Sequence, residues 1–361
     1  MMALVAAASV LATSALGQVY LRGGAIIDDP IVTVTDQGVE VAGQAPRVIG
    51  WDRVRAVNGA LAEEAAAFQT VADKAWRART RLSRGDVALA LPLYEELFDA
   101  YQGTTGPTAL AIAEGLLQCR LTMYAQAAAV EPWLEALRNR RAGVTIPDEH
   151  SSVGPLDEET GLAIQLPPIW LHDDPIVISV NPATNDDPVV VRLAQLYQRS
   201  ASDGGVGAVE QEDSEATSAV GFVNAIVESS SVDEVIRDGA RRRLRAALAR
   251  QEGTWREAWI RAALGQSYLL EPDVDDRRQG MIHLLHLPAR FADSQPFLAG
   301  VGLAIVADEL RKQGDAAGAE RLIRDLSDQD ALHPGLPWLE RRQNERLNAT
   351  APDVLAHKEH L

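Results

Sequence analysis

A mainly α-helical fold with a small N-terminal β-rich module is predicted for this chain by three observations. The stretch from Lys74 to Gln102 carries two apolar stripes at steps of three and four residues, on either side of a two-residue turn at Gly85 and Asp86. Residues 18–58 instead show alternating apolar residues between turn residues. Composition agrees, because 47% of the 361 residues are hydrophobic but only 5% are aromatic, which suits helices packed through small side chains.

The formal net charge of -17 disfavours nucleic acid or an anionic membrane as partner, since both call for a basic face. Residues 1–17, MMALVAAASVLATSALG, read as a signal peptide, with small residues Ala15 and Gly17 placed for cleavage before Gln18. No Lys or Arg precedes the apolar run, so the terminal amine alone supplies positive charge, and a misplaced start or an uncleaved anchor stays open. Gln18 stands where a lipoprotein would carry Cys, which argues against lipid anchoring. The run is short for a membrane span, so no stable insertion is expected after cleavage. An exported protein, periplasmic or extracellular, is the expectation. Cys119 is the single cysteine, so no intrachain disulfide forms and a buried, inert thiol is favoured over a reactive one.

In the β module, strands are expected around Ile31–Thr35, Val39–Val41 and Val54–Val57, four or five in all, with turns at Gly23-Gly24, Asp28–Pro30 and Asp36–Gly38. The spacing resembles small SH3-like or Sm-like β-barrel modules. Trp51 is either a ligand platform or, in the favoured reading, a core or interface residue. So few residues make a poor core alone, and the module should lean on the first helix.

Helical hairpins are expected over 59–142. Walking out from the turn, Leu61, Ala65, Phe68, Ala72, Ala75 and Leu82 lie on one stripe, and Val87, Ala90, Tyr94, Leu97 and Tyr101 on the other. Gly85 is placed to close the first helix with positive φ, and Asp86 to cap the second. Pro92 falls inside the second helix, where it should kink it or delay its start.

Gly85, Asp86, Ala90, Tyr94 and Leu97 together resemble the second half of a tetratricopeptide (TPR) repeat. Gly115, Tyr124, Ala127 and Leu134 resemble a second unit without the Gly-Asp turn; Gly253, Trp255, Ala258, Ala262 and Gly265 a third; Gly314, Asp315, Ala319, Ile323 and Leu326 a fourth. The units are not in strict register, so the resemblance is to degenerate TPR-like α-hairpin repeats, with a generic α-hairpin array as the competing reading. The resemblance implies a non-catalytic binding or scaffold role, with a concave face of first helices engaging a peptide or protein partner. By the same offsets it implies binding positions at Arg79 in the first unit and at Asp308, Arg311 and Lys312 in the last.

Residues 143–188 hold seven of the eighteen prolines and must be extended or looped. Leu166, Ile169, Trp170 and Leu171 make this a packed crossover or, alternatively, a strap in which LPPIW fills part of a helical groove. A helix is expected from Val189 to Ser200, then a mobile acidic loop over 201–216. The second helical block runs over 189–348, with helices near Thr254–Leu270, Val274–Leu285, Pro296–Gln313, Ala316–Ser327 and Leu336–Leu347, the last a terminal cap. The tail 349–361 should fray. The basic run Gly239–Arg250 should lie on a wet helix face, because Asp233, Glu234 and Asp238 precede Arg237, Arg241 and Arg242 by one turn.

Chemistry-bearing clusters are few. His283 and His286 share a helix face but lack a carboxylate at metal-motif spacing. Asp273, Asp275 and Asp276 lack the glycine and distal Glu of a Ca²⁺ loop and suit a helix N-terminus better. The doublets Asp173-Asp174 and Asp186-Asp187 flank the Pro-rich stretch and read as turns. No nucleophile elbow, Walker loop or dinucleotide fingerprint occurs, so no cofactor is expected. The alternative function is an extracytoplasmic enzyme or metal-binding protein, its site near the Pro-rich insertion and His283/His286.

Overall fold

A computed structural model describes residues 17–43, 45–146, 156–171, 187–201 and 218–350. The described residues form six strands at the N-terminus followed by thirteen helices. They divide into two compact units: residues 1–119 with 135–153, and residues 120–134 with 154–361. The signal segment 1–16, most of the acidic loop, Asp173-Asp174, Asp186 and the tail from 351 lie outside the described residues.

Unit 1 opens with strands β1 (Val19–Leu21), β2 (Ile26–Ile27), β3 (Ile31–Thr35), β4 (Gly38–Val41), β5 (Arg47–Ile49) and β6 (Val54–Val57). They build two three-stranded antiparallel sheets, ordered β2-β1-β6 and β3-β4-β5. Six strands replace the expected four or five because the short β1 pairs on both sides, with Val19 opposite Ile27 and also opposite Val57. The module core of Val19, Val39, Val41, Ile49, Trp51 and Val54 is completed by two helical alanines. These are Ala65 of α1 (Ala62–Ala66) and Ala72 of α2 (Gln69–Ser83). The module therefore does lean on the first helices. Trp51 is a core residue, 1% exposed, stacked on Phe68 at 5.1 Å, with Nε1 donating to the Thr35 carbonyl at 3.0 Å.

Helix α3 (Val87–Tyr101) folds back on α2, and Gly85 closes the turn at φ +82°. Asp86 departs from expectation: its side chain makes no capping hydrogen bond. Helix α3 is continuous over Pro92 and its start is not delayed, and Ala88, whose carbonyl loses its partner, is exposed to water. Helices α4 (Pro107–Thr122) and α5 (Gln126–Arg141) contribute to both units. Tyr94 of α3 lies against Gly115 of α4 so closely that a Cβ there would overlap its ring.

Unit 2 contains α6 (Pro188–Ser200), α7 (Ala219–Glu228), α8 (Glu234–Leu248), α9 (Trp255–Leu269), α10 (Val274–Phe291), α11 (Pro296–Lys312), α12 (Ala316–Gln329) and α13 (Gly335–Thr350). Each packs on its chain neighbour from α6 to α13, the order of a helical array. Glycine sets the closest approach: a Cβ on Gly265 of α9 would stand 2.6 Å from Leu284 Cγ of α10. Ala258, Ala262 and Ala319 are fully buried, so the small residues face other helices as the stripes predict.

The basic stretch of α8 differs from its expected place. Arg237 and Arg241 are buried, and both reach across to Glu271 beyond α9, at 3.0 and 2.5 Å. Arg241 also donates to Ser267 Oγ at 2.8 Å and lies over the Tyr268 ring. Only the Arg241–Asp238 pair follows the expected spacing, and Asp233 serves as N-cap instead. Glu271 accepts from both guanidiniums at once, and these charge-assisted hydrogen bonds hold Arg237 and Arg241 on an acceptor outside their own helix.

Tyr124, in the α4–α5 turn of unit 2, occupies the left-handed region at φ 55°, where Gly314 stands in the corresponding later turn. That backbone costs an L residue on the order of 1 kcal/mol. The side chain offsets it: Oη donates to Asp330 Oδ2 at 2.5 Å, and the ring meets His333 edge-on at 5.1 Å.

The Pro-rich stretch is packed between Leu156 and Leu171, with Leu162, Ala163 and Leu166 fully buried. Its carbonyls are received by aromatic donors of unit 2. Trp133 Nε1 donates to Gly161 at 3.0 Å, Trp259 Nε1 to Ile164 at 2.9 Å and Tyr197 Oη to Leu166 at 2.5 Å. Trp170 Nε1 donates to Ser200 Oγ at 2.8 Å. Asp187 caps α6 through Val189 N at 2.9 Å. Replacing Trp259 by Phe should leave the Ile164 carbonyl unpaired, costing about 1–3 kcal/mol. The expected outcome is a lower urea midpoint and faster proteolysis between Gln165 and Leu171; a wild-type midpoint would mean that water takes over the carbonyl.

Candidate binding cleft

One cleft of unit 1 gathers polar groups that the hairpin geometry would otherwise separate. It is lined by Asp52, Ala75, Arg79, Tyr94, Ala111 and Glu114, with Ile112 and Ile146 adding apolar wall, and its free volume is about 10 Å³, room for a water molecule. Asp52 arrives from the β5–β6 turn, directly after the anchored Trp51. Arg79 and Ala75 lie one helical turn apart on α2, and Ala111 and Glu114 likewise on α4.

Two ion pairs engage the carboxylates of the cleft. Arg79 Nη1 donates to Asp52 Oδ2. Arg140 of α5 donates from Nε at 2.7 Å and meets the same Glu114 oxygen, Oε1, through Nη2 at 2.6 Å. The carboxylate side chains are 5% and 2% exposed, against 20% and 37% for their arginines, so negative charge lies at the floor and positive charge nearer solvent. Burial raises the Asp52 carboxyl above its ordinary value, against the pull of Arg79 and Arg53. Burial raises Glu114 in the same way, against Arg140. Tyr94 is 3% exposed, and its hydroxyl makes no hydrogen bond to any described residue. Burial first, then the field of Cys119 and Asp52, pushes its phenol far up, so it stays protonated. Cys119 itself is fully buried.

Arg79 is thus where the resemblance places a binding residue, at the cleft wall, but it also neutralises a buried carboxylate. Arg79→Met should strand Asp52 and cost about 3–5 kcal/mol. Adding Asp52→Asn should restore most of that loss in urea unfolding, whereas additive costs would show that the two side chains are not coupled.

The three other expected positions lie in unit 2 and line no part of this cleft. Asp308 is buried and held by Lys312 at 2.9 Å and by Arg346 of α13. Neighbouring Glu309 accepts from Arg277 Nε at 3.0 Å and Gln313 at 2.9 Å. Arg311 pairs with Glu320 of α12 at 2.8 Å. Each is engaged within the chain, and together they tie α10, α11, α12 and α13. Asp273 caps α10 by accepting from Asp275 N and Asp276 N, at 2.8 and 3.1 Å.

His283 and His286 lie on α10 in different surroundings. His283 is stacked parallel to Tyr268 at 5.9 Å, and His286 Nε2 is 3.3 Å from Glu257 Oε1. Glu257 is already taken by Arg261 at 2.7 Å and by the Gly253 amide at 2.7 Å. Among the described residues no three His, Cys, Asp or Glu side chains are disposed to hold a metal ion. Burial, with Arg261 and His286 adding, lowers His283 to about 4. Burial likewise lowers His286 and His333. Such a group binds its proton better in the unfolded chain, so its contribution is present above pH 6.5 and is lost as pH falls toward 4. For His283 this amounts to on the order of 3 kcal/mol. His283→Gln should flatten the rise in unfolding free energy between pH 4 and 6.5; an unchanged slope would place the titration elsewhere.

Sequence reasoning missed Asp52, Glu114 and Arg140. Glu114 did carry a signal, a lone carboxylate inside the apolar run AIAEGLL next to a helical glycine. Asp52 carried none, since its burial comes from tertiary pairing. Comparison with protein-family models, curated proteins and solved structures finds no match. Among the described residues the fold is mainly α, with a six-stranded N-terminal module and helices packed on their neighbours.

Proposed function

We propose that the protein is an exported, non-catalytic binding scaffold whose TPR-like hairpins take an extended peptide or protein partner. The observation that carries this reading is the small, partly enclosed cleft lined by α2 and α4, which holds Arg79 and which a partner would have to widen. In the TPR reading these are the first helices of consecutive hairpins, the elements that line a binding groove. The exchange of Gly115 for volume against Tyr94 supports the same reading, since close backbone approach beside a large ring is the packing that the repeat pattern encodes. Export rests on the apolar run before Gln18.

The test screens the purified full chain against a randomised peptide pool and repeats it with Ala111→Trp, which fills the cleft from a half-buried wall position. Binders should lose at least about tenfold in affinity, as expected when a site is sterically filled. Binders that ignore the substitution would place recognition elsewhere. N-terminal sequencing of protein from its native envelope should begin at Gln18, and a retained leader would count against cleavage.

A further inference from the structure

We propose that the face of unit 2 shared by α8, α9 and α10 holds a small oxyanion, a phosphate or a carboxylate, on the guanidinium of Arg261 between Arg245 and Arg290. The site lies wholly in unit 2 and does not rest on the cleft of unit 1. Two rows of polar side chains meet there. Glu257, Arg261 and Tyr268 recur at helical spacing on α9, and His283, His286 and Arg290 do so on α10, so each row keeps to one side of its helix. Contacts join the rows. His283 stacks on Tyr268, whose Oη accepts from Arg245 Nη1 of α8 at 3.2 Å. Arg261 Nε, His286 Nε2 and Arg290 Nη1 lie 2.7, 3.3 and 3.7 Å from a single oxygen, Oε1 of Glu257.

Positive charge is in excess at this place. Arg245, Arg261 and Arg290 face one buried carboxylate, Glu257, and one solvated carboxylate, Glu252, which is 83% exposed and 3.9 Å from Arg290. Glu257 is already engaged at both oxygens, by the Gly253 amide and by Arg261, each at 2.7 Å. Arg241, which lies over the Tyr268 ring, adds no excess because Glu271 and Asp238 match it. Donors are left over as well. Arg261 donates to described residues only from Nε, so both of its Nη groups are unspent, on a side chain that reaches the surface. Arg245 spends one donor on Tyr268, and the Arg290 side chain makes no hydrogen bond to a described residue. His283 is 8% exposed, and its Nδ1 is buried without a partner. After burial, Arg261, His286 and Arg245 lower the His283 imidazole, and Arg261 and Arg290 lower His286 against Glu257, so the local field is positive. The two Nη groups of a guanidinium form a planar pair of donors that matches the edge of a phosphate or a carboxylate, which only accept. A cationic ligand would meet three guanidiniums and be repelled.

The experiment titrates the full chain, at constant ionic strength, with inorganic phosphate, with acetyl-Ala-Glu-Ala-amide and with its glutamine analogue, and follows backbone amide shifts of α9 and α10. Phosphate or the glutamate peptide should shift them saturably, and the tighter of the two names the source of the oxyanion. The glutamine peptide should bind at least about tenfold more weakly than the tighter oxyanion, the scale of lost charge-assisted hydrogen bonds. The titration midpoint of His286 should rise in the complex, since a bound anion favours the charged imidazole. Arg245→Gln combined with Arg290→Gln should weaken binding about tenfold or more, because both guanidiniums flank the anion. Arg278→Gln, at the other end of α10, should leave it unchanged. Arg261→Lys keeps a cation beside Glu257 but loses the planar pair of donors, and should weaken binding about fivefold or more with an unchanged far-ultraviolet spectrum. Should Arg261→Lys fail to fold, the double variant decides. Shifts that never saturate with either oxyanion, a glutamine peptide as tight as the tighter oxyanion, or binding indifferent to the double variant would each overturn the site. The cleft of unit 1 is judged separately, by the Ala111→Trp screen.

Discussion

The interaction on which unit 2 depends is the reception of buried backbone carbonyls by aromatic donors. A proline-containing segment without a helix or strand of its own still has its peptide carbonyls, and burying them unpaired costs about 1–3 kcal/mol each. Trp133, Trp259 and Tyr197 meet three of these carbonyls directly. Leu162, Ala163 and Leu166 of the same segment are fully buried. This is a use of tryptophan and tyrosine in which one side chain supplies both apolar area and a hydrogen-bond donor. With aromatics at only 5% of the chain, four of them donate hydrogen bonds at or from residues 156–171.

Elsewhere the helices meet through alanine and glycine, which give close approach but little directional information. Direction comes from charges. Arg237 and Arg241 on Glu271 tie α8 to the α9–α10 turn, Arg277 on Glu309 joins α10 to α11, and Arg346 on Asp308 joins α13 to α11, fixing how the elements of unit 2 face one another. In unit 1, Asp52 with Arg79 does this between the β module and α2, and Glu114 with Arg140 between α4 and α5. Such pairs add little net stability compared with apolar residues of equal volume, yet removing one partner is costly, so they act as specifiers of register.

What could be read from the sequence follows from the range of each interaction. The helices were legible because their stripes repeat within a few residues, and Gly85 was legible because the left-handed conformation is a local demand. Strands β3 and β6 were legible from alternation, whereas β2, two residues long, exists only through its pairing with β1. The buried arginines of α8 were illegible for the opposite reason. A local rule pairs them with Asp233 and Asp238, and tertiary contact offers a better acceptor in Glu271. The cleft was legible only at Arg79, because Asp52 is brought to it by folding across twenty-seven positions of chain. Glu114 could be flagged by its apolar neighbours, but its partner Arg140 could not.

The Tyr124 turn has a consequence for the order of assembly. Its left-handed backbone is stabilised by a hydroxyl contact to Asp330, 206 positions further along the chain. During synthesis that partner does not yet exist when the turn leaves the ribosome, and chain closure over such a span is slow. The turn therefore settles late, after α12 and the segment bearing His333 have formed, so a piece of early sequence waits on the last part of the array for its final geometry.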